Sequence, residues 1–254
     1  MSLHCSSQGR GEDLVLLHGW GMNSAVWKGL LPQLQERYRV HCIDLPGHGA
    51  SENAGAGLDA WLEAMEDSLP ERFHLCGWSL GGLLALAIRR RWPQRVKSLV
   101  LLSASPRFLE AVGWPALPVA QLEQFGLGLA KDIEATLRQF IALQFLGVPG
   151  SRAVQRELWQ ALQEQGVASQ QGLQQGLQLL QQLDLRESYA DAPCAVVLGG
   201  RDKLVSAALL ESMQVLNLCS HIELWPQAAH APHLLEPARV AEFIDAYINE
   251  RQKP

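Results

Sequence analysis

An apolar run that ends at a glycine-bearing loop and gives way to a helix recurs along the first hundred residues. No other feature restricts the fold as much. Residues 14–17, LVLL, run into HGWG; YRVHCI runs into DLPGHG; residues 73–76 run into GWSLGG; and RVKSLVLL runs into SAS. Strands buried on both faces lose polar alternation and become continuously hydrophobic, so these segments predict a mostly parallel sheet covered by helices. Helices are expected at 24–36, at 58–69 and after Ser79.

The rhythm breaks after Pro106. From there to about residue 187 the pattern is helical, with 15 glutamines between Gln121 and Gln182 and no strand-like run to extend the sheet. So long an excursion predicts an inserted helical lid at 106–187 over a core made of 1–105 and 188–254. Strand rhythm resumes with PCAVVLGGRDKLV and SHIELWPQAAHAPHLLEP, and a last helix is expected at 236–249. The 254 residues, 48% hydrophobic and 19% charged, suffice for one such core.

The same numbers exclude several function classes. No apolar run approaches the roughly 20 residues that span a membrane, and a net charge of -5 gives no general attraction for nucleic acid. The start, MSLHCSSQGRGED, has neither the basic nor the apolar part of a secretory signal, so export is not expected. Five cysteines without metal-ligand spacing read as mainly buried thiols in a reducing cytoplasm, with no metal or organic cofactor implied.

GWSLG places Ser79 between an apolar strand and a helix beginning LGGLLALAI. A tight strand-to-helix turn needs Gly77 and Gly81 to avoid collisions, and it lifts the serine above the sheet edge, where N–H groups at the helix start favour negative charge. A serine ahead of a helix is often only a cap. A nucleophile also needs a base and a carboxylate that orients it. Asp202 follows the strand in VVLGGRDKLV directly, unlike Asp191 or Glu211; His230 follows the last strand and has small alanine neighbours. His221 falls at a strand start, His74 within or beside a strand, and His233 at the last helix with a partly exposed structural role expected. The N–H groups of Leu80 and Trp20 are the candidate oxyanion donors; His18 is expected to brace the HGWG loop.

These anchors, LVLLHGWG, DLPGHG, GWSLGG, GGRDKLV and AAHAPHLLEP, in the order Ser, Asp, His, resemble the α/β-hydrolase fold across nearly the whole chain. Within it, HGWGMNSAVW, the tryptophan inside GWSLGGL, FIALQFLG and the later DLR are similar to the pimeloyl-acyl carrier protein methyl ester esterases of biotin biosynthesis. The resemblance implies a serine carboxylesterase with Ser79, Asp202 and His230 as its triad, Trp20 and Leu80 at the oxyanion, and Phe140 lining the acyl channel. It also implies an acyl carrier protein partner met by lid arginines. Arg152 and Arg156 match two of those; Ala135 and Gln139 stand where two others belong, and Arg138 lies beside the gap. A short-chain esterase without a carrier partner would use the same residues, and a non-catalytic ligand-binding protein is a further alternative.

Overall fold

The computed structural model describes residues 2–251. Its strands are β1 (Cys5–Gly9), β2 (Glu12–Leu17), β3 (Tyr38–Ile43), β4 (Phe73–Trp78), β5 (Val96–Leu102), β6 (Ala195–Gly199) and β7 (His221–Trp225). They form one sheet in the order β1-β3-β2-β4-β5-β6-β7, parallel throughout except for β1, which runs antiparallel to β3. The first half carries α1 (Leu31–Leu34), α2 (Leu58–Glu66) and α3 (Leu80–Arg91).

Between β5 and β6 lie α4 (Val119–Lys131), α5 (Ile133–Gln144), α6 (Arg152–Gln165), α7 (Gln170–Gln182) and α8 (Arg186–Ala190). The chain ends with α9 (Leu209–Leu216), α10 (Pro232–Leu235) and α11 (Pro237–Arg251). No described helix is long and apolar enough to cross a membrane.

The continuous apolar runs are the interior strands. Every residue of β4 and β6 is buried, as are the four apolar residues that end β2. Because β2, β4, β6 and β7 are mutually parallel, the loops after all four open at one edge of the sheet.

Two elements depart from the sequence pattern. The polar run CSSQG carries no apolar alternation, yet it forms β1 through main-chain pairing at an edge, mostly exposed. The helix expected at 24–36 is instead a 3-10 turn, Ser24–Trp27, followed by the single turn of α1. Gly29 and Pro32 interrupt it: glycine is a poor helix former, and proline lacks an N–H and favours a helix start.

Candidate active site

The turn from β4 into α3 puts Ser79 at φ 55°, ψ -120°, a conformation costly for a residue with a Cβ, by about 1–3 kcal/mol. Its neighbours permit this. A Cβ on Gly77 would lie 2.3 Å from the Gly81 carbonyl oxygen, and one on Gly81 would lie 2.2 Å from the Leu17 carbonyl oxygen. The Ser79 N–H still donates to the Leu102 carbonyl of β5 (3.0 Å), and its own carbonyl accepts from Gly82 and Leu83. The strained residue is thus held from both the sheet and the helix.

Asp202 and His230, 123 and 151 positions along, arrive from the loops after β6 and β7. The His230 Nδ1–H donates to Asp202 Oδ2 (2.8 Å), and the Ser79 hydroxyl donates to His230 Nε2 (3.0 Å). Asp202 is itself oriented, since its Oδ1 accepts from the N–H groups of Leu204 and Val205 at 2.8 and 2.9 Å. A carboxylate fixed by three donors selects the imidazole tautomer whose Nε2 is free to take a hydroxyl proton. The unit is enclosed: Ser79 is 4% exposed and His230 0%.

The HGWG loop lies across from the elbow. A Cβ on Gly19 would come within 3.2 Å of Ser79 Cβ and of the Trp78 ring. His18 braces this loop, accepting from the Leu45 N–H at Nε2 and donating from Nδ1 to the Gly19 carbonyl. Burial lowers its pKa below the usual imidazole range, against the pull of Asp44 and of its own hydrogen bond to Gly19. Beside it, burial first and the nearby His18 second lower His48 to about 3. Neutral rings here favour a fixed loop over proton traffic. The Trp20 N–H makes no hydrogen bond among the described residues, and Leu80 stands in the first turn of α3, where N–H groups lack intrahelical acceptors.

Helices from the segment between β5 and β6 reach these loops. The Trp20 indole donates to the Leu173 carbonyl of α7 (2.8 Å). Phe140 of α5 meets the Trp20 ring edge-on, with centroids 4.8 Å apart, and packs against Phe125 of α4 at 5.4 Å. The Gln144 carbonyl at the end of α5 accepts from the His230 main-chain N–H (3.2 Å). Arg152 and Arg156 are exposed on α6 and line a surface groove of about 260 Å³ with Arg138 and Trp159. The Arg138 guanidinium lies 4.2 Å over the Trp159 ring and donates to Glu134 (2.9 Å).

His233 differs from expectation, being 1% exposed. Its ring packs between Trp27 and Trp78, against which α10 sits. Phe125, Gln144 and Trp78 were not picked out as parts of the site. Phe125 and Gln144 have only ordinary helical spacing as a signal, and Trp78 only its place inside GWSLGGL.

Known proteins resemble the chain in sequence and in fold. Residues 14–243 match the alpha/beta hydrolase family. The chain is 38% identical over 253 residues to a protein from Aeromonas hydrophila named pimeloyl-[acyl-carrier protein] methyl ester esterase, covering 98% of this chain and 100% of that one. A protein of the same name from Nitrosomonas europaea is 36% identical over 249 residues, covering 96% and 99%. A hydrolase from Pseudomonas aeruginosa PA01 superimposes with a TM-score of 0.83 at 24% identity, covering 97% of this chain and 94% of that one. An esterase from Exiguobacterium antarcticum gives 0.85 at 22% identity, covering 97% and 95%. This chain belongs to the alpha/beta hydrolase family.

Proposed function

We propose that the protein is a serine carboxylesterase that hydrolyses the methyl ester of pimeloyl-acyl carrier protein, releasing methanol and freeing the pimeloyl carboxylate in biotin precursor synthesis. The observation that carries this reading is similarity to relatives of that name across practically the full length of both chains. The hydrogen-bonded series Ser79, His230, Asp202 supports the chemistry. Ser79 Oγ attacks the ester carbonyl as His230 Nε2 takes its proton, and Asp202 stabilises the imidazolium. Backbone N–H groups of Trp20 and Leu80 receive the oxyanion. Collapse returns the proton to the departing methoxide; His230 then activates water to release the acid. No cofactor takes part, and the five unpaired cysteines are consistent with a cytoplasmic setting.

Residues 106–187 act as the lid in this reading, and 1–105 with 188–254 as the core. Phe140 lines the acyl channel. Phe140→Ala is expected to lower kcat/KM for pimeloyl-length esters about ten-fold, equivalent to ~1.4 kcal/mol of lost apolar contact, while acetate esters change less than about two-fold. Equal losses on both would remove Phe140 from the channel.

The triad alone does not choose a carrier-linked ester, so the partner is assigned to α6. Against a net charge of -5, Arg152 and Arg156 supply a local positive surface for an acidic carrier protein. The double variant Arg152→Glu, Arg156→Glu is expected to lower kcat/KM for the carrier-linked ester roughly ten-fold at low salt, with the deficit shrinking as salt rises. A small soluble ester should be unaffected. The main test compares pimeloyl methyl ester on acyl carrier protein with free short-chain methyl esters. Equal kcat/KM for the two, or an arginine variant indistinguishable from wild type, would favour a general short-chain esterase. The absence of arginine at Ala135 and Gln139 is the observation on that side.

A further inference from the structure

His233 is buried with both ring nitrogens unbonded to any described residue, an arrangement that normally costs free energy. Its surroundings show what the ring does. Its centroid is 4.5 Å from that of Trp27 and 4.6 Å from that of Trp78, the latter edge-to-face. Trp78 is the residue before Ser79, and its indole N–H donates to the His230 carbonyl at 2.7 Å. The same indole lies against Gly19 of the HGWG loop and 5.6 Å, centroid to centroid, from the His230 ring. One side chain therefore touches the nucleophile's strand, the oxyanion loop and the main chain of the base.

We infer that His233 is a positioning residue: its ring holds the Trp78 indole in place, and that indole fixes the His230 main chain so that Nε2 stays in line with Ser79 Oγ. This rests on the triad roles proposed above and adds to them. The imidazole works here as an aromatic plate and not as a proton carrier. Burial first, and the neighbouring His230 second, push its pKa down to about 3, so it is neutral near pH 7. The remaining side of His233 borders a cavity of about 470 Å³ between the 3-10 turn, α6 and α10, lined also by Val26, Leu158 and Leu234. Truncating the ring would open this cavity toward Trp78 and free the indole to tilt. A tilted indole loses its grip on the His230 carbonyl, and small displacements of a base are costly in rate.

The test uses the full chain and p-nitrophenyl butyrate, so its result is independent of any carrier protein. His233→Ala is expected to lower kcat about ten-fold or more with KM within two-fold of wild type. His233→Phe, which has the ring and lacks the nitrogens, is expected to restore kcat to within about two-fold and to leave the pH profile unchanged. Trp78→Phe, lacking the N–H donor, should fall as His233→Ala does, and the double variant His233→Ala, Trp78→Phe should fall no further than the lower single variant. Thermal melts show which variants remain folded at assay temperature; the Phe variants keep an aromatic ring and serve if the alanine variant does not fold. A phenylalanine variant at 233 that is ten-fold impaired overturns the inference, as do losses that multiply in the double variant. Parallel assays of Ser79→Ala and His230→Ala separate these outcomes from failure of the triad roles themselves: full activity in either would condemn the roles and not the packing.

Discussion

Replacing Ser79 with alanine is expected to lower kcat for p-nitrophenyl esters by on the order of 10^4 to 10^6 and to abolish labelling by fluorophosphonates, while the protein stays folded. The size follows from what is lost. Without Oγ there is no covalent acyl-enzyme, and hydrolysis retains only the help of binding and oxyanion donors to a water attack. The fold survives because alanine, like serine, carries a Cβ at φ 55°, so no new backbone strain is introduced. The substitution removes one hydrogen bond, of roughly 1 kcal/mol. A purified Ser79→Ala protein with a wild-type melting temperature and undiminished turnover would show that some other group is the nucleophile.

His230→Ala is expected to reach a similar floor by a different route. The hydroxyl remains but is almost wholly protonated at neutral pH, and His233, three residues on, is engaged with Trp27 and Trp78. Asp202 loses its imidazole partner and keeps the Leu204 and Val205 N–H groups. In the proposed mechanism the three side chains act as a unit, so the double variant Ser79→Ala, His230→Ala should be little worse than either single one. Losses that multiply instead, or a His230→Ala enzyme within ten-fold of wild type, would rule out the proposed base.

What could be read from the sequence, and what could not, follows the range of the forces involved. The interior strands were legible because burial on both faces writes itself into composition, residue after residue. Their parallel direction then sent the loops bearing Ser79, Asp202 and His230 to one edge, which is why three side chains far apart in sequence could be considered together. β1 was not legible, since main-chain pairing at an edge asks little of side chains, and CSSQG has a polar composition. The broken helix at 24–36 turned on Gly29 and Pro32, whose local effect outweighs an apolar pattern over so short a span. The burial of His233 depended on how α10 sits against Trp27 and Trp78, a tertiary fact with no local sequence signal.

The enclosure of Ser79 and His230 bears on how the proposed enzyme would meet its substrates in a crowded solution. Such a nucleophile is chemically prepared but kinetically withheld. In the proposed enzyme, entry of an ester would require α5 and α7 to part from the Trp20 loop, which the Phe140 ring and the Leu173 carbonyl hold, and the frequency of that separation would limit chance encounters with untethered esters. A chain delivered on the proposed carrier would wait there at high effective concentration and could use each brief opening. Discrimination against the cell's many other esters would then come partly from timing, before any pocket contact has distinguished one acyl group from another.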